Sequence, residues 1–491
     1  MNTASRRLAS VAMVMCLALM GSVTWVQFFQ ADRLNADSRN TRTLYRLLGD
    51  ARGSIVVGEV AVASSVPVDD PFGYQRTYSD GDPAAAVAYS SVTGFLGYNG
   101  RTGLEQYADE YLSSDSDHLL FTRIRDIVTG RQPEGATVET TIVPAVQQAA
   151  LAALGDNQGA IVAVEPSTGK ILALVSTPGF DPNPLADHSS TQAQAAYDAL
   201  LAAPGNPLRN KAYNERYAPG STFKLITAAA ALEAGYSPDT MLHGPRELDL
   251  PQTTATMRNY GGSACDPRSD EISLADSLKV SCNTSFAQLG MDLGDAALRE
   301  QAEAFGFDGA QGEVRVPMPV LKSQFPADDL DAPTTARTAI GQGDVQATPL
   351  QMAMVAATIA NDGTMMRPYL IDTVRAANLS VISTTKPQKI NQPISTQTAA
   401  QLTAMMELVV EQGSAKPGRI DGVRVAAKTG TAQDGDRAPH VWYTGFAPAN
   451  DPQVAVVVFV KNGGTAGDDA ATGGKVAAPM ARQVIEAVLN S

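Results

Sequence analysis

The sequence predicts an α+β protein preceded by one N-terminal transmembrane helix. Strand-like segments lie at residues 160–164 and 170–175 and again at 424–432, 441–446 and 453–460. An almost continuously apolar stretch at residues 221–235 predicts a buried helix between these two groups. Because strands at both ends enclose helices, we expect the terminal segments to share one central antiparallel sheet that helices flank.

An uncharged run begins shortly after the N-terminus. Residues 8–31 are 24 residues without a charged side chain, and Arg6 and Arg7 precede them. A helix of roughly 20 apolar residues crosses a bilayer, and basic residues favour the cytoplasmic side. Residues 1–31 are therefore expected to form a cytoplasmic tail and single-pass anchor in the cell membrane, with the rest of the chain extracytoplasmic. The alternative is a cleaved signal peptide, although its apolar region usually spans only about 7 to 15 residues.

The chain after this run divides into two parts. Its 491 residues suggest two or three units, at about 100 to 200 residues per domain. Residues 32–136 are polar and irregular, with a strand-like run at 53–63 and a helical segment at 103–112. We expect them to form a β-rich pedestal or dimerisation-like domain. Residues 137–491 are expected to form the second domain.

Composition argues against two classes of partner. The formal net charge of -14 repels phosphate backbones, so no nucleic-acid partner is expected. The three cysteines and the four histidines lack the spacing of metal ligands; the histidines are His118, His188, His243 and His440. No metal and no other cofactor is expected.

A serine and a lysine three positions apart occur three times. The pairs are Ser167 with Lys170, Ser221 with Lys224 and Ser383 with Lys386. The first pair lies in a predicted hairpin turn, where the two side chains have no reason to converge. Pro387 follows the third pair and disfavours a helix through it. Only the second pair lies at the start of a predicted helix.

On that helix the two side chains share a face, so the Lys224 amine would lie within reach of the Ser221 hydroxyl. A serine needs such a neighbour to become a nucleophile, and lysine acts as a base only if its surroundings keep it neutral. The helix N-terminus also supplies free backbone N–H groups that can stabilise an oxyanion. The pattern therefore predicts a serine nucleophile with a lysine base.

Two further motifs follow in order, Ser281-Cys282-Asn283 and Lys428-Thr429-Gly430-Thr431. Ser-x-x-Lys, Ser-x-Asn and Lys-Thr-Gly in this order are typical of penicillin-binding proteins and serine β-lactamases. The chain resembles the class B penicillin-binding proteins, most closely the penicillin-binding protein A group of actinobacteria. Further similar segments are residues 103–105, 217–224, 340–343, 348–352, 363–368 and 442–448. The resemblance implies the penicillin-binding transpeptidase fold, which serine β-lactamases share.

The same resemblance implies a serine D,D-transpeptidase that cross-links peptidoglycan stem peptides and is inhibited covalently by β-lactams. Ser221 would attack the penultimate D-Ala carbonyl and release D-Ala, and Lys224 would take the serine proton. Ser281 would relay a proton to the leaving nitrogen, while Asn283 would hold Lys224 and the substrate amide. An acceptor amine would then free the serine.

The third motif, by the same resemblance, implies a substrate-binding strand edge. Lys428, Thr429 and Thr431 would receive the terminal carboxylate, with Gly430 between them. The backbone N–H groups of Ser221 and Thr431 would form the oxyanion hole. Hydrogen-bond donors and a cation on a strand edge suit a carboxylate-ended peptide that adds as an extra strand.

Other activities are compatible with the same motifs. A D,D-carboxypeptidase would use water as the acceptor, and a non-catalytic scaffold of the cell-wall synthesis complex would not turn over. A secreted β-lactamase would normally be shorter and lack the pedestal. The resemblance also implies a partner that polymerises the glycan strand, a membrane glycosyltransferase of the shape, elongation, division and sporulation type.

Cys265 and Cys282 are separated by 17 positions. In an oxidising extracytoplasmic compartment they could form a disulfide that pins a loop to the wall of the active site. The alternative is two unpaired thiols.

Overall fold

The structure is a computed structural model that describes residues 3–30, 34, 41–114, 133–327, 329–466 and 471–491. His118 and Ala31, the end of the uncharged run, lie outside these residues. The described strands are β1 Ile55–Val57, β2 Val60–Pro67, β3 Tyr74–Tyr78, β4 Leu96–Gly97, β5 Gly100–Arg101, β6 Thr137–Thr140, β7 Gly159–Val164, β8 Ile171–Thr177, β9 Met241–His243, β10 Glu247–Asp249, β11 Thr256–Arg258, β12 Glu271–Ser273, β13 Met365–Met366, β14 Ile371–Arg375, β15 Val381–Thr384, β16 Lys389–Asn391, β17 Ala426–Asp434, β18 Arg437–Ala447 and β19 Val454–Val460. The described α-helices are α1 Thr3–Thr24, α2 Thr41–Leu48, α3 Pro83–Thr93, α4 Gly103–Tyr107, α5 Asp109–Leu112, α6 Pro144–Leu154, α7 Ser190–Ala202, α8 Lys224–Glu233, α9 Leu274–Val280, α10 Asn283–Leu293, α11 Asp295–Ala304, α12 Ala332–Thr338, α13 Pro349–Ala360, α14 Thr396–Glu411 and α15 Ala477–Leu489.

Helix α1 continues into a wider helical turn, Trp25–Phe29. The combined segment Ser5–Phe29 is 25 residues long, apolar, and not buried against the rest of the protein. Its length and composition are sufficient to cross a bilayer. A helix of this kind serves either as a membrane anchor or as a signal sequence.

The central sheet has five strands in the order β17-β18-β19-β7-β8, and every neighbouring pair is antiparallel. Strands β7 and β19 are buried along their whole length, which explains their nearly unbroken apolar sequences. Helices α6, α13 and α15 pack against the sheet. The predicted α+β architecture, in which strands from both ends of the domain join, is confirmed.

A second sheet of six strands runs in the order β15-β14-β6-β1-β2-β3. Strand β1 pairs with β6 in parallel, and the other neighbours are antiparallel. Strands β14 and β15 reach it from residues 371–384, far along the sequence from β1 to β3. The pedestal sheet therefore incorporates segments from both sides of the predicted boundary at residues 136 and 137.

Helix α8 is the buried helix that the apolar run predicts. Every residue from Lys224 to Leu232 is buried, and the chain leaves the helix at Gly235 with a φ of 94°. A 3-10 turn, Gly220–Thr222, precedes it. Ser221 therefore lies in a tight turn, and Lys224 is the first residue of the α-helix.

Candidate active site

The turn that contains Ser221 lies against strand β17. Gly220 has a φ of 53°, and a Cβ atom there would lie 3.0 Å from the Thr431 carbonyl oxygen. The Trp442 indole N–H donates a hydrogen bond of 3.0 Å to the Ala218 carbonyl. Glycine at position 220 thus permits the turn to lie close to β17, and the hydrogen bond from Trp442 of the neighbouring strand β18 holds the turn in place. Ser221 itself is half-buried.

Gly430 makes the same contact from the other side. A Cβ atom on Gly430 would lie 2.9 Å from the Pro219 carbonyl oxygen and 3.0 Å from Cγ2 of Thr222. A larger residue would therefore push the Ser221 turn away from the strand. The requirement for glycine at position 430 of the third motif is therefore steric, which the sequence pattern alone does not reveal.

Lys224 is completely buried and points to the second motif. Its Nζ donates hydrogen bonds of 2.8 Å to the Ser281 carbonyl and 2.8 Å to Oδ1 of Asn283, and it lies 3.5 Å from Ser281 Oγ. Burial, and then the nearby charge of Lys428, hold the pKa of Lys224 well below its usual value. The two oxygens take both N–H bonds of a neutral amine and leave its lone pair available to accept a proton.

Lys428 reaches the same hydroxyl from strand β17. Its Nζ donates 2.8 Å hydrogen bonds to Ser281 Oγ and to the Thr429 carbonyl, and its side chain is fully buried. Burial lowers the pKa of Lys428 to about 7. Ser281 Oγ therefore lies between two lysine amines, one from helix α8 and one from the sheet.

Ser281 occupies an unusual backbone position between helices α9 and α10. Its φ of 60° and ψ of 41° are left-handed, which is uncommon for a residue with a side chain. Such geometry persists only where the surrounding structure enforces it, and it clusters at functional sites. It turns both the carbonyl and the hydroxyl of Ser281 toward Lys224.

The structure thus brings Lys224, Ser281, Asn283 and Lys428 into one hydrogen-bonded group. The Ser221 hydroxyl forms no hydrogen bond among the described residues, so it is not hydrogen-bonded to the Lys224 amine. The amine instead satisfies both of its donors on the second motif. The other two serine–lysine pairs lie elsewhere: Lys170 pairs with Asp372 at 3.4 Å, and Ser383 is in β15 of the pedestal sheet.

Strand β17 is the edge strand of the central sheet, so its outer backbone groups have no strand partner among the described residues. Thr429 Oγ1 lies 2.5 Å from Ser414 Oγ, and Thr431 Oγ1 accepts a hydrogen bond of 3.5 Å from the Gly473 N–H. An open edge with hydroxyls and a lysine amine suits an extended peptide that ends in a carboxylate.

Asn259 supports the second motif, and the sequence motifs do not identify it. It is nearly buried, and its Oδ1 accepts the backbone N–H groups of Asn283 at 2.8 Å and Thr284 at 3.1 Å. Its Nδ2 donates to the Ser263 carbonyl at 3.2 Å. An asparagine before a Tyr-Gly-Gly turn is too common a pattern to predict such a contact.

Cys265 and Cys282 are joined by a disulfide in the structure, with their Cα atoms 5.7 Å apart. The bond ties the loop after Asn259 to the residue between Ser281 and Asn283. The wall that carries the second motif is therefore held by a covalent link as well as by the Asn259 side chain.

His440 lies on β18 and contacts Tyr217 and Phe459 rather than the lysines. Burial is the largest cause that lowers its pKa to about 4, and its Nδ1 accepts the Asn462 N–H at 3.1 Å. Trp442, Tyr443 and Phe446 are fully buried, as strand packing requires. Within the residues that the structure describes, no group of three or more His, Cys, Asp and Glu side chains could hold a metal ion.

Comparison with known proteins assigns a family to both domains. A family model described as the penicillin binding protein transpeptidase domain matches residues 159–486, and one described as the penicillin binding protein A dimerisation domain matches residues 52–138. The chain is 45% identical to the peptidoglycan D,D-transpeptidase PbpA of Mycolicibacterium smegmatis, covering 100% of this chain and 99% of the relative. It is 42% identical to PbpA of Mycobacterium tuberculosis with the same coverage.

Solved structures agree with this assignment. The ceftriaxone acyl-enzyme complex of penicillin-binding protein A from M. tuberculosis superposes with a TM-score of 0.85 at 43% identity and covers 91% of this chain and 100% of that chain. The penicillin G acyl-enzyme complex of the same protein gives a TM-score of 0.83, with 90% and 100% coverage. The chain therefore belongs to the penicillin-binding proteins with a transpeptidase domain.

Proposed function

We propose that this protein is a peptidoglycan D,D-transpeptidase that works through an acyl-enzyme on Ser221 and is inhibited covalently by β-lactams. The observation that carries the proposal is the hydrogen-bonded group of Lys224, Ser281 and Lys428 beside the Ser221 turn and the open edge of β17. The relatives from Mycolicibacterium smegmatis and Mycobacterium tuberculosis carry this activity in their names, and the M. tuberculosis protein has been solved as β-lactam acyl-enzymes.

Acylation begins when Ser221 Oγ attacks the carbonyl carbon of the penultimate D-Ala. The serine proton passes to the Lys224 lone pair, because the amine is kept neutral by burial and by Lys428. The backbone N–H groups of Ser221 and Thr431 stabilise the oxyanion, and one such donor is worth roughly 3 to 4 kcal/mol.

Ser281 completes the proton transfer. Its Oγ accepts a hydrogen bond from Lys428, so its own O–H is free to donate to the leaving nitrogen. As the C–N bond breaks, that nitrogen takes the Ser281 proton, D-Ala leaves, and the Lys224 ammonium returns a proton to Ser281. Asn283 holds Lys224 in line and presents its amide to the substrate.

Lys428, Thr429 and Thr431 receive the terminal carboxylate beside Gly430. The negative charge supplies the counter-ion that the buried Lys428 lacks in the free protein, so binding favours the protonated lysine. An acceptor amine on a second stem peptide then attacks the acyl carbon, and its proton returns to Ser221 Oγ through Lys224.

A fluorescent penicillin tests this assignment. We expect a long-lived label on the wild type that Ser221→Ala removes, while Ser167→Ala, a serine of the same spacing outside the site, keeps it. No label on the folded wild type supports a scaffold, and a label on Ser221→Ala overturns the choice of nucleophile. A label that hydrolyses within seconds supports a β-lactamase.

The acceptor is tested with a pentapeptide donor and an amine acceptor, and the products are separated by mass spectrometry. Cross-linked product with loss of D-Ala supports transpeptidation. Tetrapeptide alone supports a D,D-carboxypeptidase that uses water.

The apolar helix Ser5–Phe29 serves as the single-pass membrane anchor and places the catalytic domain outside the cytoplasm. Arg6 and Arg7 lie on its cytoplasmic side, as positively charged flanks favour. From the family resemblance alone, we also propose a polymerising partner, a membrane glycosyltransferase of the shape, elongation, division and sporulation type. The intact mass of the mature protein tests the anchor. A mass that includes this segment, in protein from the membrane fraction, supports the anchor, whereas a mass that lacks it would indicate a cleaved signal.

A further inference from the structure

Ser414 contacts the carboxylate-binding motif without belonging to any of the three motifs. It lies between helix α14 and the 3-10 turn Lys416–Gly418, and its Oγ is 2.5 Å from Oγ1 of Thr429. Thr429 is nearly buried, whereas Ser414 is exposed. The pair therefore lies at the boundary between the site and solvent.

The backbone around Ser414 is fixed on both sides. A Cβ atom on Gly413 would lie 2.3 Å from the carbonyl oxygen of Lys279, in the helix that precedes Ser281. A Cβ atom on Gly474 would lie 2.2 Å from the Ser414 carbonyl. Glycine at both positions allows these close contacts. The Ser414 hydroxyl is thereby held between the wall that carries Ser281 and the loop that contacts Gly430 through Gly473.

Side chains alternate along a strand, so Thr429 and Thr431 lie on one face of β17, and Lys428 and Gly430 lie on the other. The Lys428 amine already binds the Thr429 carbonyl. The two hydroxyls of Thr429 and Ser414 can share only one proton in the bond between them, and either can be the donor. The direction of that bond decides what Thr429 offers to a ligand.

A carboxylate accepts hydrogen bonds and donates none. If Thr429 donates to Ser414, its lone pairs face the substrate and repel the carboxylate. If Ser414 donates to Thr429, the Thr429 proton is free to reach the carboxylate. We infer that Ser414 is a positioning residue for the substrate carboxylate: its hydroxyl donates to Thr429 Oγ1 and thereby sets Thr429 as a donor. The inference deepens the proposed function and rests on it.

The test compares acylation by benzylpenicillin with acylation by its methyl ester, which lacks the carboxylate. Ser414→Ala is expected to slow acylation by the acid roughly threefold to tenfold, as for one net hydrogen bond, and to change acylation by the ester less than twofold. Ser414→Thr keeps the hydroxyl and should restore the rate with the acid. Ser380→Ala, a distant exposed serine, should match the wild type with both compounds.

A double variant adds a second readout. With the acid, Ser414→Ala should cost little more in a Thr429→Val background, because the residue acts through Thr429. Equal slowing of acid and ester, no slowing of the acid, or full additivity with Thr429→Val would each overturn the inference. A wild type that neither compound acylates would instead overturn the proposed function, so the two failures are distinguishable.

Discussion

Two groups of buried cationic side chains, one in the pedestal and one in the active site, differ in how their positive charge is balanced. In the pedestal, Arg52 and Arg76 are almost fully buried and share the carboxylate of Glu105, at 3.2 Å and 2.6 Å. Arg52 also binds Asp109 at 2.6 Å. Burial opposes the charge of Arg52, but Glu105 and Asp109 outweigh it, and the pKa of Arg52 rises above its usual value.

In the active site, Lys224 and Lys428 are equally buried, and no carboxylate pairs with either among the described residues. Burial therefore prevails and lowers both pKa values. The difference teaches what a carboxylate contributes. A buried cation that pairs with a carboxylate stays charged and has a structural role. A buried lysine without a carboxylate can lose and regain its proton, and its protonated form can bind an anionic ligand.

Removal of the pedestal carboxylate should have the largest effect on stability. Glu105→Gln leaves two buried guanidinium groups without their shared anion, and breaking a buried pair in this way costs about 3 to 5 kcal/mol. The free energy of unfolding from urea titration measures it, with Ser380→Ala as a neutral control. A loss under about 1 kcal/mol would mean that solvent, or Asp109 in the case of Arg52, already compensates the two arginines, and the contrast with the active-site lysines would not hold.

Removal of Lys428 from the active site should remove a destabilising buried charge, and its effect on the free energy of unfolding should depend on pH. The pKa of Lys428 is about 7 in the folded protein, against a usual 10.5 that an unfolded chain would retain. Between these values the unfolded chain binds more protons, so wild-type stability rises with pH across that window, and the cost of the buried charge is greatest below pH 7. Lys428→Met lacks this dependence.

We therefore compare the melting temperature of Lys428→Met minus that of the wild type at two pH values. This difference should be more positive at pH 6 than at pH 9.5, by at least about 2 °C. The lost hydrogen bonds to Ser281 and Thr429 lower both values alike and leave the trend unchanged. Lys389→Met, an exposed lysine, should show no such trend. A difference that stays constant with pH would mean that Lys428 is charged throughout, and it would break the contrast with Arg52.

Much of the fold could be predicted because its elements have strong local patterns. The unbroken apolar runs of β7 and β19 and the buried helix α8 lie within a few residues of their predicted bounds. The entry of β14 and β15 into the pedestal sheet could not be predicted, because pairing between Val374 and Val138 depends on tertiary contacts. Period-2 patterns of four or five residues do not specify a partner.

In the active site, the identities of the motif residues could be predicted, but their arrangement could not. Residue types at fixed spacing predict Ser221, Lys224, Ser281, Asn283 and Lys428, because the chemistry requires them. Their arrangement follows the donors and acceptors of the folded chain, so the Lys224 amine binds the second motif and forms no hydrogen bond with the Ser221 hydroxyl. Asn259 and Ser414 could not be predicted, since each is a single polar residue whose partner lies 15 to 24 positions away.

The smallest expected effect concerns an ion pair of the same chemistry that is not buried. Arg375 of β14 binds Glu139 of β6 at 2.7 Å, with side chains 35% and 31% exposed. Water solvates both ions in the unpaired state, so the coupling energy from a double-mutant cycle of Arg375→Met and Glu139→Gln should be under about 1 kcal/mol. It should fall further in 1 M salt, where the screening length is only about 3 Å. A coupling as large as the expected cost of Glu105→Gln would show that burial does not set the strength of such pairs, because an exposed pair would then stabilise the pedestal sheet as strongly as the buried Glu105 cluster does.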